Sequence, residues 1–455
     1  MNVPNPGRRI LVVGGVAAGP SAAAKAARVD PRAEVVLIEQ GEVISYAICE
    51  LPYFVSGEVS ESSMVVHTPE SLAREKGVTV WTRHRVERIN PGRRTLTLRD
   101  LTGNRVREER YDRLILATGA APRSLGIPGA SAPNVVHVRR LEDGAALKRG
   151  IDAERARTAV IIGAGLIGME MADAFHRRGL SVSVVHDEAL PLRGFEERAR
   201  EHARTLLEQH GVRMSGPART LAIELDGSGQ ARGVRTDAGS IAADLVVVAI
   251  GVEPHTELAR EAGLRRGQSG AIWTDRRQQT SLQGIYAAGD CCEVRDIVSG
   301  GPIYVPLATV ASKTGWTAGE NAAGGRAEFP GAIEAVAVRV FETEFMRAGL
   351  SAERARQLGI MAEGVWISAP SHVASMPGSS ELMVHLLGER RTGRLLGVNV
   401  IGQTGAVLRG NTIAAAIQQK LRVEDLRNWD LAYAPPFTPL WDPILVAANA
   451  LAKKL

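Results

Sequence analysis

The sequence predicts an α/β chain made of two dinucleotide-binding units and a separate C-terminal α+β domain. Three observations lead there. One local design, a short apolar strand, a glycine-rich turn, a helix and a second strand, occurs twice. Beyond about residue 326 the pattern changes to short strands with two helical stretches. The length, 455 residues, exceeds what a single hydrophobic core holds, so two or three domains are expected.

The first unit begins with an apolar run at 10–13. It passes through Gly14-Gly15-Val16-Ala17-Ala18-Gly19 into a helix over 20–28 and returns as a strand at 35–38 that ends at Glu39. The second begins at 160–162, turns through Gly163-Ala164-Gly165-Leu166-Ile167-Gly168 into a helix ending near 178, and returns at 182–185. Glycines at these spacings allow a tight turn. They also bring free N–H groups at a helix N-terminus, the positive end of its dipole, against a pyrophosphate. Glu39 follows Gly19 at the spacing where a carboxylate accepts a hydrogen bond from a ribose hydroxyl. The first loop carries Val16 where a second glycine is usual, whereas the second loop matches in full.

Between the units, strands are expected at 78–81 and 94–98, followed by Leu114-Ile115-Leu116-Ala117-Thr118-Gly119, a buried strand ending in a turn. Gly284-Ile285-Tyr286-Ala287-Ala288-Gly289-Asp290 repeats that arrangement and puts a carboxylate just past a strand, with a helix expected from near 306. In the C-terminal domain, strands are expected at 336–341, 382–387 and 395–401, and helices at 352–358 and 405–419.

Composition excludes several classes of function. Lys and Arg exceed Asp and Glu by 55 − 50 = 5, spread along the chain with no basic run or aromatic interleaving, which argues against a nucleic-acid partner. Three cysteines, two of them adjacent at Cys291-Cys292, make neither a secreted disulfide framework nor a Cys/His zinc spacing, so no metal is expected and a reducing cytoplasm fits. Residues 1–9 carry two prolines and no apolar signal core, and no apolar run approaches the roughly 20 residues that span a bilayer.

Cys49 carries the most chemical information. It lies in Ser45-Tyr46-Ala47-Ile48-Cys49-Glu50-Leu51-Pro52-Tyr53, shortly after the first nucleotide-binding strand, with no second cysteine nearby in sequence. A lone thiol beside a dinucleotide site points to single-cysteine redox chemistry, although a lone cysteine is more often an inert packed residue. Glu50 next to it is expected to raise the thiol pKa if its carboxylate faces the sulfur. Cys291 and Cys292 are expected to pack as small residues rather than form a vicinal disulfide.

These motifs together resemble the FAD- and NAD(P)H-dependent disulfide oxidoreductases over essentially the whole chain. The 45–53 run and Tyr433-Ala434-Pro435-Pro436-Phe437 are similar to the single-cysteine branch that includes coenzyme A disulfide reductases, NADH-dependent persulfide reductases and NADH oxidases. The resemblance implies two Rossmann-like domains in the glutathione reductase-like arrangement: an FAD domain of residues 1–152 and 276–326, an NAD(P) domain of 153–275, and a dimerisation domain of 327–455. It implies FAD against Gly14, Gly15, Ala17, Ala18, Gly19, Glu39, Thr118, Gly119, Gly289 and Asp290, and the nicotinamide cofactor against Gly163, Gly165, Gly168, His186 and Asp187. It further implies a homodimer in which Tyr433 of one subunit reaches the partner's cysteine, so that Cys49 and Tyr433 are the catalytic pair.

The same resemblance offers Ser21, Lys25, Arg28, Ser45 and Lys76 as contacts for a disulfide substrate, with Lys25 and Arg28 suited to phosphate and a solvated helix face as the plain alternative. Met376 and Trp441 depart from the coenzyme A reductase pattern, which has a tyrosine and a lysine there. No rhodanese domain, found on some relatives, is expected after Leu455. Ala17 stands where oxidase and peroxidase members carry a histidine. His186-Asp187 replaces the usual terminal Glu; Asp187 would repel a 2′-phosphate and favour NADH, while Arg193 leaves NADPH as the alternative, and His186 is read as a strand-end surface histidine. The expected function is reduction of a low-molecular-weight disulfide or persulfide, coenzyme A being one candidate thiol. The alternatives are an NADH oxidase reducing O2, a reductase passing electrons to a protein partner, and a catalytically silent redox sensor.

Overall fold

The structure is a computed structural model and describes residues 7–153 and 156–455. Residues 1–6, part of the stretch searched for an export signal, lie outside the described residues, as do residues 154–155, at the start of the expected second domain. Among the described residues no helix is long and apolar enough to cross a membrane.

Apolar β-branched runs flanked by turns form the strands of the first sheet, which is parallel throughout. Its order is Ile285–Ala287, Arg113–Leu116, Arg9–Val13, Glu34–Ile38, Thr79–Trp81. Strands buried on both faces need apolar residues at successive positions, and the alternation sorts them. Ile10, Val12, Val35, Leu37 and Ile115 pack against the helical layer. Leu11, Val13, Val36, Ile38, Leu114 and Leu116 pack beneath a three-stranded antiparallel sheet, His84–Asn90, Thr95–Asp100 and Arg105–Arg110. Small residues let the helices Ala18–Val29 and Ala308–Ala322 pack backbone to backbone. A Cβ on Gly315 would lie 2.3 Å from the Ala18 carbonyl oxygen, and one on Gly319 would lie 2.1 Å from that of Ala22.

The second sheet repeats the design in the order Arg213–Ser215, Ser181–Val185, Thr158–Ile162, Leu245–Val248, Val135–His137. Its edge strand, Val135–His137, lies well before residue 153, where the sequence reading opened this domain. Ala259, Leu264 and Ile272 pack in the first domain's core, ahead of the expected return at 276. Both crossings run through short segments: a three-residue edge strand shows no periodicity from which to place a boundary.

The C-terminal domain is an antiparallel sheet in the order Val336–Val340, Thr343–Gly349, Leu395–Gly402, Glu381–Glu389, Ala362–Pro370. Two of these strands were absent from the sequence reading. Ala362–Pro370 carries Gly, Ala and Pro on a half-exposed edge, which lowers its β signal. The helices Ala406–Gln418 and Pro443–Ala452 cover one face. On the other, Phe345, Met383 and Ile401 join a core shared with Phe195 and Ala199 of the second domain and Leu51 and Phe54 of the first.

The tight helix pair generates a contrast in sign. Gly315→Ala should lower the melting midpoint, with overpacking of about 1–3 kcal/mol outweighing a helix-propensity gain of about 1 kcal/mol. Gly150→Ala, whose added Cβ meets nothing closer than 3.8 Å, should raise it. A rise for both in thermal unfolding would show that the two helices do not meet backbone to backbone.

Candidate functional site: two nucleotide loops and one thiol

Each glycine loop ends at an uncapped helix. Ala17 precedes Ala18–Val29 and Gly165 precedes Leu166–Arg177; neither gives a side-chain cap, and neither first turn holds an acid. The first N–H groups of both helices are therefore left for a ligand, at the positive ends of the dipoles. Gly14 and Gly163 take positive φ (108° and 111°) and press on the carbonyls of Ala117 and Ala249, while Gly165 has no protein atom within 4 Å of a would-be Cβ. Glu39 accepts from the N–H groups of Gly15 and Gly41, each at 2.7 Å, which fixes its carboxylate beside the first loop. Thr118 Oγ1 donates to the His255 carbonyl at 2.7 Å, and Gly119 turns the chain at φ 71°. Gly289 donates to Thr314 Oγ1 at 3.0 Å and so holds the turn bearing Asp290. The Tyr304 hydroxyl is buried and has no partner among the described residues. This donor set and the open cradle fit a dinucleotide at each loop.

Cys49 is tied to the first loop through backbone. Ser45, buried and at φ 50°, donates its N–H to the Gly15 carbonyl at 2.7 Å and accepts from Val66 N–H at 2.8 Å. A non-glycine residue held at positive φ is a local strain that the surrounding bonds maintain. From there the chain enters the turn Ile48–Glu50 and the helix Leu51–Ser56, whose Leu51, Phe54 and Val55 pack on Met169, Met171 and Phe175 of the second domain's first helix. Cys49 thus lies on the segment that runs from the first loop to the second nucleotide-binding helix, and it is exposed. Although the sulfur is accessible, the surrounding protein strips it of enough water for desolvation to lead the causes raising its pKa. Glu170 and Asp290 follow, Arg139 opposes, and Glu50 contributes least. The expected influence of Glu50 therefore has the right sign but is the smallest.

Glu170 and Arg139 escaped the sequence reading. Glu170 is pushed up to about 7 by burial. It accepts from the Tyr53 hydroxyl at 3.5 Å, and Tyr53 lies under the Arg339 guanidinium, 5.0 Å from the ring centre. Arg339 in turn grips Glu58 with contacts of 2.7 and 2.8 Å. All three domains thus meet at the cysteine helix. The signal that was available is the position of Glu170, two residues past Gly168 and one turn into the helix.

Cys291 and Cys292 are free and buried in the first domain's core. Cys291 Sγ faces the Leu116 and Ala288 carbonyls and Cys292 Sγ faces Gln278 and the Gly289 carbonyl. Burial pushes both thiols up. Of the substrate candidates, Ser21 donates to the Ser312 carbonyl at 2.9 Å, and Lys25 is already paired with Glu320 at 2.8 Å beneath the Trp316 ring at 3.7 Å. Arg28 and Lys76 are exposed. Tyr433 is 48% exposed on the C-terminal domain, in the loop before Pro443–Ala452.

In the second nucleotide site, His186 is buried, which corrects its reading as a surface residue. It packs against Gly216, where a Cβ would meet Nε2 at 2.3 Å, and burial lowers its pKa. A strand-end position did not reveal the turn folded over it. Asp187 is exposed, 3.7 Å from Arg193. Glu188, which the sequence reading did not single out, takes both Arg193 and Arg200.

Two nucleotide loops converging on one accessible thiol define an oxidoreductase of sulfur compounds. The chain belongs to the pyridine nucleotide-disulphide oxidoreductases: that family's model matches residues 8–315, and the model of its dimerisation domain matches residues 336–442. The chain is 33% identical to the NAD(P)H coenzyme A polysulfide/persulfide reductase of Pyrococcus horikoshii over 446 residues, covering 98% of each. It is 31% identical to an NADH oxidase of Methanocaldococcus jannaschii over 452 residues, 98% of this chain and 99% of that protein. It superposes on the NAD-dependent persulfide reductase of A. fulgidus with a TM-score of 0.94 at 32% identity, covering 98% of this chain and 83% of that one.

Because Glu170 loses its proton near pH 7, it is a full negative charge throughout the range in which the raised Cys49 thiol titrates. Glu170→Gln should therefore move the alkylation profile of Cys49 to lower pH, and further than Glu50→Gly does. The converse order in a pH series of iodoacetamide labelling would contradict the arrangement of charges described here.

Proposed function

We propose that this chain is an FAD-containing, NAD(P)H-dependent reductase of a low-molecular-weight disulfide or persulfide, with Cys49 as nucleophile. The observation that carries the reading is an accessible lone thiol fastened to the first nucleotide loop and packed on the second nucleotide helix, with the other two cysteines buried and facing elsewhere. The names of the Pyrococcus and A. fulgidus relatives support it.

The Cys49 thiolate attacks one sulfur of RSSR′, forming Cys49–S–S–R and expelling R′S⁻. With a persulfide, RSSH, the same attack expels HS⁻. A bound FAD supplies the two-electron relay from the reduced nicotinamide. Two electrons and a proton then cleave the mixed disulfide to Cys49–S⁻ and RSH. In sum RSSR′ + NAD(P)H + H⁺ gives RSH + R′SH + NAD(P)⁺. No resolving cysteine is required, because the substrate's own thiol is the second half of the disulfide. A reducing cytoplasm, where such thiols accumulate, suits this chemistry.

Gly14, Gly15, Ala17, Ala18, Gly19, Glu39, Thr118, Gly119, Gly289 and Asp290 hold the FAD, and Gly163, Gly165, Gly168 and Asp187 hold the nicotinamide cofactor. His186 acts from beneath, as packing. Asp187 and Glu188 make the ribose end anionic and engage Arg193, which favours NADH. Coenzyme A is one candidate thiol: Arg28 and Lys76 are exposed and available to its phosphates, whereas Lys25 is engaged by Glu320. The working unit is a homodimer in which Tyr433 faces the partner's Cys49. Reduction of O2 is the second reading, favoured by the Methanocaldococcus relative's name. Ala17, without an acid or base, counts against it.

Cys49→Ser should retain its flavin and lose turnover with disulfides and persulfides to background, measured as NADH consumption with several substrates. Turnover near the unmutated level would remove the thiol mechanism. Asp187→Arg should shift the NADH to NADPH ratio of kcat/KM by about tenfold or more toward NADPH, about 1.4 kcal/mol. An unmutated enzyme that strongly favours NADPH would contradict the role given to Asp187.

A further inference from the structure

We propose that Glu188 sets the choice between the two pyridine nucleotides by holding Arg193, the cation placed to receive the 2′-phosphate of NADPH, in an ion pair. The proposal rests on the second loop holding the nicotinamide cofactor.

The two nucleotide units repeat one backbone tie. In the first, Ser45 at φ 50° donates its N–H to the carbonyl of Gly15, the residue after the loop's first glycine. In the second, Leu192 at φ 53° donates at 2.8 Å to the carbonyl of Ala164, again the residue after the first glycine. What the tie positions differs. Ser45 leads to Cys49, whereas Leu192 is followed directly by Arg193, which therefore stands at the rim of the second loop. The carboxylates differ too. Glu39 directly follows the strand Glu34–Ile38 and accepts from the Gly15 N–H. After the strand Ser181–Val185 that place belongs to His186, buried against the turn at Gly216, so the acids at this strand end are the next two residues, Asp187 and Glu188. The end of this strand is where a ribose 2′ substituent is read, by an acid for a hydroxyl and by an arginine for a phosphate.

Glu188 is shared between two arginines. Its Oε1 accepts from Arg193 Nε and its Oε2 from Arg200 Nη2. Arg200 also donates to the Pro191 carbonyl at 2.8 Å and its side chain is 17% exposed, so it is fixed against the turn from the helix Glu197–Gln209. Arg193 is the movable one. Its side chain is 71% exposed, and among the described residues its other ionic neighbour is Asp187, 3.7 Å from Nη2. A guanidinium takes a phosphate through the same N–H fork that it offers a carboxylate. As the strand end stands, two carboxylates face two guanidiniums, and a 2′-phosphate would meet an arginine already engaged. Without the Glu188 charge, one carboxylate faces two guanidiniums and Arg193 is released on an exposed stem. Solvent-exposed pairs hold weakly, so a phosphate can recruit this arginine once the competing carboxylate is gone.

The test uses the FAD-loaded holoenzyme and two probes, adenosine 2′,5′-bisphosphate and AMP, which differ only in the 2′-phosphate. Isothermal titration calorimetry gives the dissociation constant of each. Glu188→Gln should raise the affinity for the bisphosphate relative to AMP by about tenfold, and the kcat/KM ratio of NADPH to NADH should rise with it. Arg193→Ala should lower that affinity ratio far more in the Glu188→Gln background than in the unmutated chain, because only there is the guanidinium free. If the Gln variant does not fold, Arg193→Lys keeps the charge, lacks the Nε–H that Glu188 holds and spares the contact between Glu188 and Arg200; it should move the ratio in the same direction. Two results would overturn the proposal: a ratio that neither Glu188→Gln nor Arg193→Lys moves, or a Glu188→Gln gain that survives Arg193→Ala undiminished, which would trace it to lost repulsion alone. Displacement of AMP by NADH reports separately on the second loop. A flat ratio beside AMP that NADH displaces sinks the role of Glu188 and leaves the cofactor site standing, whereas AMP that NADH does not displace removes the site itself.

Discussion

Both nucleotide sites depend on one steric constraint: the turn after the first strand must touch the backbone of the neighbouring strand. A Cβ on Gly14 would lie 2.1 Å from the Ala117 carbonyl oxygen, and one on Gly163 would lie 2.3 Å from that of Ala249. Five residues further on, Gly19 and Gly168 would collide with the carbonyls of Gly14 and Gly163 at 1.7 and 2.1 Å. Side chains at these positions would push each helix off its strands and turn its uncapped N-terminus away from the crevice. The thiol inherits the same constraint. Ser45 hangs from the Gly15 carbonyl, so the position of Cys49 is set by the loop that would hold the cofactor.

The charge arrangement follows from that placement. The cysteine turn lies in the field of Asp290 and Glu170, each set by its own element: one follows the strand Ile285–Ala287, the other stands one turn into the helix beside the second loop. A thiol raised in pKa is a stronger nucleophile once ionised but is ionised less often. Burial and the neighbouring carboxylates set both properties, and the Arg139 charge opposes them in part. Arg339 acts one step away: it lies over Tyr53, the hydrogen-bond partner of Glu170, and lowers the pKa of that carboxylate. The C-terminal domain therefore takes part in the electrostatics of a site formed by the other two.

What the sequence made legible is what local chemistry dictates. The two loops, the strands behind them and Asp290 past its strand appear as residue types at fixed spacings, and the structure keeps them with shifts of a residue or two at the ends of the elements. Legibility fails where partners are distant in sequence. Arg139 meets Asp290 across 151 positions, Arg339 meets Glu58 across 281, and no periodicity connects either pair. Lys25 reads as a free cation on an exposed helix face until the helix Ala308–Ala322 brings Glu320 and Trp316 against it. His186 reads as a surface residue because the turn that covers it, at Gly216, arrives about thirty residues later. Edge strands fail for a related reason: Val135–His137 is too short to carry a pattern, and Ala362–Pro370 is composed like a loop.

The segment carrying Tyr433 is built as the piece of the site proposed to come from a second copy would have to be. Phe437, Leu440 and Trp441 are 75%, 70% and 59% exposed, an unusual display of large apolar side chains on a well-bonded loop. One buried ion pair organises it. Arg409 Nε lies 3.0 Å from Asp442 Oδ2, and its Nη2 donates to the carbonyls of Ser371 and Phe437. Asp442 also accepts from Thr438 and caps the helix Pro443–Ala452. Exposure here is imposed by the bonding of the main chain rather than by a lack of it, as expected of a surface that a second copy covers. In the proposed two-fold dimer the contact is reciprocal: each subunit lends its Tyr433 segment and receives the other's, so both thiols depend on the same Arg409–Asp442 clamp.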